Sequence, residues 1–244
     1  IKSGLIDNKL KDKNDPKIIV ADIGFGNICN LSCSMCDETS SHTWAKIKNL
    51  KNNIWNFDKE AMLETAEALK DAKMISIKGG EPFNIPHLYD FLDRLTELNN
   101  NVVIDILSNG TEISDRDIES LKKIPNLHMS FSIEATGDLY KYIRGGKYTF
   151  QNLIDNIKRL KEAGVQVDNI CFASIIMFYN HRVWVNDHIY MTQIFKKELN
   201  INIEIVSQIC TFPANQSIFL IKNKLRNKLI KSIDKAVSRK KITN

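Results

Sequence analysis

The chain has 244 residues, is 43% hydrophobic and carries a formal net charge of +5. Its length and apolar content suffice for one large α/β core, whereas no apolar run reaches the ~18 residues that span a bilayer and no signal-peptide pattern opens the chain. Five cysteines, three of them clustered, do not make a disulfide framework, so the composition predicts a soluble protein of a reducing compartment, the cytoplasm.

The chain begins at Ile1 rather than Met, which reads as a fragment or a processed form, and a polar stretch leads to the apolar segment Ile18–Gly24, the first predicted strand. Directly after it come Cys29, Cys33 and Cys36 in the run GNICNLSCSMCDE. Three thiolates hold metal and leave one position open, either as an iron–sulfur cluster with an exposed iron or as a zinc site with His42 for its fourth ligand. A predicted helix over Asp58–Ala72 leads to the strand Met74–Ile77, which ends in Gly79-Gly80-Glu81-Pro82. Paired glycines let backbone approach a ligand closely, Glu81 offers an acceptor to a ligand ammonium, and Pro82 stiffens the exit. The plain alternative is a turn with a solvated glutamate.

Next come a helix over His87–Leu98 and the strand Val102–Leu107, which runs into Ser108-Asn109-Gly110, a turn signal in its own right. After the helix Ser114–Lys123, the strand Leu127–Ile133 alternates Ser130, Ser132 and Glu134 with Met129, Phe131 and Ile133, which puts a polar row on one face. Arg144 follows, as a ligand fork or an exposed loop charge. The helix Phe150–Ala163 stops at Gly164, and the strand Ile170–Met177, extended to Asn180, precedes a helix over Val185–Leu199 and the strand Ile201–Val206. Cys171 lies in an apolar strand and reads as a buried thiol, and Cys210 follows the last strand. Six strands separated by helical crossovers predict a parallel sheet with strands apolar on both faces. That alternation suits an open barrel and a doubly wound sheet equally.

The spacing C-x3-C-x2-C, with Met35 before the last cysteine and Ser40-Ser41 after it, resembles the cluster loop of the radical S-adenosylmethionine (SAM) enzymes, and of their small twitch-type members in particular. GGEP after the second strand, SNG after the third and YIRGG after the fourth continue the likeness in order, over roughly Lys17 to Val206. The resemblance implies an open (β/α)6 partial TIM-type barrel, with a [4Fe–4S] cluster on Cys29, Cys33 and Cys36 and SAM on the free iron. It further implies cofactor contacts from Met35, Gly79, Gly80, Glu81, Pro82, Ser108, Asn109, Ser132, Glu134, Arg144 and Asn180, with the plain turn an equal reading of Asn109. The implied activity is reductive cleavage of SAM to a 5′-deoxyadenosyl radical that abstracts hydrogen from a peptide, a protein or a nucleotide-derived molecule, with flavodoxin or ferredoxin as reductant. Catalytic residues beyond the cofactor contacts are not legible. Cys171 and Cys210 do not supply an auxiliary cluster, and Cys210 is a candidate hydrogen-atom donor.

From Lys222 the chain carries Lys222, Lys224, Arg226, Lys228, Lys231, Lys235, Arg239, Lys240 and Lys241 against the single acid Asp234. Leu225, Leu229, Ile233, Ala236 and Val237 recur at helical spacing, so the segment predicts an amphipathic basic helix. Such a helix caps the barrel through its apolar stripe, or recruits an acidic protein, a membrane surface or nucleic acid; missing aromatics disfavour nucleic acid. The expected organisation is a lead-in over 1–16, a core over 17–210 and an extension over 211–244. A different class of function, a non-catalytic zinc or cluster scaffold that binds an acidic partner through this tail, leaves GGEP, SNG and Arg144 without a role.

Overall fold

The computed structural model describes residues 17–51 and 53–238. The lead-in 1–16 and the basic residues Arg239, Lys240 and Lys241 therefore lie outside the described residues. Six strands form one parallel sheet in chain order: β1 (Val20–Gly24), β2 (Met74–Lys78), β3 (Val103–Ser108), β4 (Leu127–Ser132), β5 (Asn169–Ile176) and β6 (Asn202–Ile209). Helices α1 (His42–Ile47) and α2 (Lys59–Ala68) connect β1 to β2; α3 (Leu88–Leu98) and α4 (Asp115–Leu121) make the next two crossovers. Helices α5 (Gly137–Arg144) and α6 (Phe150–Glu162) join β4 to β5, α7 (Trp184–Leu199) joins β5 to β6, and α8 (Asn223–Ser238) follows the sheet.

The strand order decides between the two sheets the sequence allowed. A doubly wound sheet reverses direction at a switch point, whereas strictly sequential order with right-handed crossovers stacks the helices on one face and curls the sheet into a partial barrel. Helix ends follow local chemistry. Asp58 caps α2 by accepting from the Ala61 N–H at 2.9 Å, and Ser114 with Asp117 and Thr149 with Asn152 form reciprocal capping boxes on α4 and α6.

One face of each inner strand meets the helices and is fully apolar. Ile75, Ile77, Ile104, Ile106, Met129, Phe131 and Phe172 pack there with Met62, Leu88, Phe91, Leu95, Leu153, Ile157 and Phe195. The other face departs from the expectation of strands apolar on both sides. The register aligns Asp22 with Ser76, Ser76 with Asp105 and Asp105 with His128, and one step further Ser130 with Cys171 and Cys171 with Glu204. Ser76, Asp105 and His128 are half-buried on this inner face, where polar groups suit water or a polar ligand better than a core.

The segment after β6 docks on the same body. Gln216 accepts the Phe178 N–H through its carbonyl at 2.8 Å and donates from its side chain to Ser34 O. On α8 the predicted stripe is in place: Leu229 and Ala236 are buried in the main core, with Leu225, Ile233 and Val237 packed against it. Among the described residues no helix is long and apolar enough to cross a membrane.

Candidate functional site

The cysteine loop leaves β1 at the carboxyl end of the sheet, and the first turn of α1 and its cap hold it by its carbonyls. Ser41 Oγ donates to Leu31 O at 2.6 Å, Thr43 Oγ1 to Cys29 O at 2.7 Å and Trp44 Nε1 to Cys33 O at 2.9 Å. His42 Nδ1 accepts the Cys29 N–H at 3.0 Å, so this nitrogen braces the loop. Among the described residues no three His, Cys, Asp or Glu side chains converge as a single metal ion requires. A cluster, whose irons are ligated at separate corners, makes no such demand of its cysteines.

Cys29 and Cys33 are buried and Cys36 is half-buried. The Cys36 thiol bonds to Cys33, and this, helped by the charge of Arg144 against the burial cost, brings the Cys33 thiol down to about 6. The same bond holds the proton on Cys36, whose thiol is pushed far up, while burial raises Cys29 to about 12. The Arg144 charge thus favours the thiolate at Cys33, the form in which cysteine binds a soft metal centre.

The glycines of GGEP act on this loop. A Cβ on Gly80 would stand 2.5 Å from Ile28 O and one on Gly79 3.0 Å from the Gly24 Cα, and both residues have φ in the left-handed region, at +57° and +89°. The sequence predicted close approach to a ligand, and in this chain both glycines pack against the end of β1 and the start of the cysteine loop. Glu81 corrects the solvated reading: it is 1% exposed, its amide donates to Ile28 O at 2.7 Å, and its carboxylate accepts from Ser108 Oγ and from the Asn109 N–H, both at 2.7 Å. Burial lifts its pKa to about 7 against these bonds. Ser108 also accepts from the Gly110 N–H at 2.9 Å, and Asn109 reaches back to Asn30 Oδ1 at 2.9 Å. Pro82 is buried in a short 3-10 turn. GGEP and SNG are thereby one cross-braced unit under the cysteine loop.

Arg144 lies at the end of α5, an element the sequence reading missed, and not in an exposed loop. Gly145, at φ +60°, ends the helix where a Cβ would overlap Ser32 O; Ser32 Oγ donates to Gly145 O at 2.7 Å and the Ser34 N–H to Ile143 O at 2.7 Å. Arg144 is only 6% exposed, and its Nη1 donates to Cys33 Sγ at 3.7 Å. Its Nη2 stands 2.6 Å from Glu134 Oε2 as a buried ion pair, and among the described residues its Nε has no hydrogen-bond partner. Burial raises Glu134 to about 7 although Arg144 opposes it.

These groups border a cavity of about 300 Å³, with Met35, Cys36, Ser132 and Ile175 on its walls and Lys78 and Gln208 toward the inner face of the sheet. Asn180 does not face it. Wholly buried, Asn180 accepts from the Met177 N–H at 2.8 Å and donates to Glu134 O at 3.0 Å and Ile175 O at 2.8 Å, tying β5 to the end of β4. Cys210 is also buried, with its thiol on Phe212 O at 3.3 Å among Ala135, Ile143 and Met177, and its burial raises its pKa.

Below the cavity lies a network absent from the sequence reading. Asp105 accepts from Ser76 at 3.1 Å and Ser130 at 2.8 Å and bonds His128 Nδ1 at 2.7 Å, while Lys78 pairs with Asp22. Period-two alternation within each strand was the available signal. Register between strands, which brings these residues together, was not.

Residues 23–183 match the family model described as the Radical SAM superfamily. The chain is 28% identical over 141 residues to the sporulation killing factor maturation protein SkfB of Bacillus subtilis (strain 168), covering 58% of this chain and 32% of that protein. Streptococcus suis SuiB bound to S-adenosylmethionine superposes with a TM-score of 0.65 at 16% identity, over 92% of this chain and 48% of its own. Native anSMEcpe with bound AdoMet and Cp18Cys peptide gives 0.63 at 16% identity, over 94% of this chain and 63% of its own. The chain thus spans about a third of the curated relative and about half of SuiB, and the structural likeness is one of fold.

Proposed function

Because the chain belongs to the Radical SAM superfamily, by the match over 23–183, we propose that Cys29, Cys33 and Cys36 hold a [4Fe–4S] cluster, that SAM occupies the adjoining cavity, and that the protein initiates a radical reaction on a peptide. The observation that carries this reading is the buried Arg144–Glu134 pair at the cavity wall, with Arg144 Nε left over after the ion pair, beside three thiols on one braced loop. A buried N–H without a partner is costly, and a ligand with an ammonium and a carboxylate meets both signs of the pair at once.

A cluster held by Cys29, Cys33 and Cys36 would supply the electron for reductive cleavage of SAM and so start radical chemistry on the substrate. The chain's own residues bind and orient. Arg144 offers its free N–H groups to the carboxylate, Glu134 and Ser132 accept from the ammonium and the ribose, and Met35 with Ile175 forms the apolar wall. Gly79, Gly80, Glu81, Pro82, Ser108, Asn109 and Asn180 hold that set in place from outside the cavity. Residues 17–210 act as the core and the segment from 211 as its twitch-type cap, with a flavodoxin or ferredoxin as reductant.

A peptide substrate is supported by the relatives: SkfB matures a killing factor, and SuiB and anSMEcpe have been captured with the precursor peptide SuiA and the Cp18Cys peptide. The test is anaerobic turnover. Protein reconstituted with iron and sulfide and reduced with dithionite should release 5′-deoxyadenosine from SAM, faster when its peptide is present. Ser132→Ala and Glu134→Gln should each weaken SAM binding roughly ten- to a hundredfold while the cluster stays loaded, the loss of one charge-assisted or buried hydrogen bond. Absence of SAM cleavage by cluster-loaded, reduced protein would refute the reading.

A further inference from the structure

Arg144 borders the cavity and also touches the cysteine loop. Its Nη1 reaches Cys33 Sγ at 3.7 Å, and Cys33 is buried, 5% exposed. This proximity is built into the backbone. The end of α5 is locked onto the cysteine loop by Ser32 Oγ on Gly145 O at 2.7 Å, by the Ser34 N–H on Ile143 O at 2.7 Å and by the missing Cβ of Gly145. The side chain has little freedom to leave, because Glu134 Oε2 stands 2.6 Å from Nη2 and Glu134 is in turn held through its carbonyl by Asn180.

We propose that Arg144 is an electrostatic positioning residue for the cluster itself, setting its reduction potential through Cys33, with Glu134 as the counter-charge that limits the effect. The inference rests on the reading that Cys29, Cys33 and Cys36 carry the cluster. A cluster gains one negative charge on reduction, so a buried cation at a ligating sulfur stabilises the reduced form more than the oxidised one. An N–H donated to that sulfur draws off electron density in the same sense, and hydrogen bonds to sulfur, net charge and exposure are the levers a protein has on such a potential. In water the charge would be screened, but here both partners of the pair are nearly inaccessible, at 6% for Arg144 and 2% for Glu134. The guanidinium has five N–H groups, so serving Cys33 through Nη1 leaves Nε for a carboxylate ligand.

The experiment is a spectroelectrochemical titration of the reconstituted full chain without SAM, following the bleaching of the cluster absorbance, on wild type, Arg144→Leu, Arg144→Lys and Glu134→Gln, each with its iron and sulfide counted first. Arg144→Leu should make reduction at least tenfold harder, a fall of about 59 mV for one electron. Glu134→Gln should shift the potential the opposite way, and Arg144→Lys should lie between wild type and Arg144→Leu, since it keeps the charge and loses the fork. A role confined to packing would move stability and leave all four potentials together. If Arg144→Leu fails to load a cluster, the opposite displacements of Glu134→Gln and Arg144→Lys decide. Loaded proteins with coincident potentials overturn the inference and leave the proposed function standing, whereas wild type that takes up no iron and sulfide overturns the proposed function beneath it.

Discussion

The loops that leave β1 to β4 and the segment that follows β6 are attached to the same sheet by different means. Side chains far apart in sequence tie the strand-end loops to one another, as Glu81 binds Ser108 and Asn109, Asn109 binds Asn30, and Arg144 reaches Cys33. From Cys210 onward the chain is held mainly by apolar burial of Ile218, Ile221, Leu229 and Ala236, with Phe212, Phe219, Leu220 and Ile230 exposed. A region fixed by directional bonds and backbone clearance fails when one atom is added or lost. One fixed by area gives way gradually, methylene by methylene.

The sharpest way to break this comparison uses the two ends of α5. Gly137 and Gly145 have nearly equal φ, +55° and +60°, but a Cβ on Gly137 meets nothing within 4 Å whereas one on Gly145 runs into Ser32. Gly137→Ala should cost only the left-handed backbone, about 1–2 kcal/mol. Gly145→Ala should add overpacking and cost about 4 kcal/mol, with loss of cluster loading. Urea unfolding of the two variants checks it, and equal costs would mean that the cysteine loop is not clamped by α5.

In the apolar region, Leu229→Ala should cost about 3 kcal/mol as a buried truncation, while Ile230→Ala, one residue on and 54% exposed, should cost less than about 0.5 kcal/mol. A large effect at Ile230 would show that α8 packs through another face. Asn27 returns to the bonded region. Fully buried, it donates to Glu38 O at 3.2 Å and Asn53 O at 2.6 Å and accepts from the Trp55 N–H at 3.0 Å, so Asn27→Ala should cost on the order of 2 kcal/mol.

An effect of similar size is in pH. Burial holds His188 neutral, down to about 4, with its Nδ1 on Trp184 O. A histidine lowered in the folded state favours folding fully above its unfolded value near 6.5, and that contribution is lost as pH falls toward 4. At pH 5 wild type should lose on the order of 2 kcal/mol relative to its stability at pH 7 that His188→Gln does not lose. Parallel pH profiles for the two proteins would contradict this. His128 has the opposite sign. Asp105 raises it, so its contribution is present below about 6.5 and fades as pH rises through its folded value.

Element order was legible because each strand and most helices bring their own periodicity and caps: Phe150–Ala163 was predicted and α6 runs Phe150–Glu162. Helix α5 was hidden by its glycine at the first position and its short length, and with it went the burial of Arg144. Motif positions at strand ends were legible as a pattern of residue types, but their division of labour was not. Ser108 and Asn180 look like ligand contacts in a sequence, and in the structure they hydrogen-bond Glu81, Gly110, Met177, Glu134 and Ile175. The inner-face network was out of reach, because the pairing of Asp105 with His128 is a fact of register between β3 and β4.

Electron paramagnetic resonance of the reconstituted, dithionite-reduced protein, before and after SAM is added, tests the central claim most directly. Four iron and four sulfide per chain, to within about one, with a cluster spectrum that changes when SAM binds and vanishes in Cys36→Ala, is the result expected of a three-cysteine cluster with an open iron. Stoichiometric zinc without sulfide, or a cluster spectrum indifferent to SAM, would contradict it.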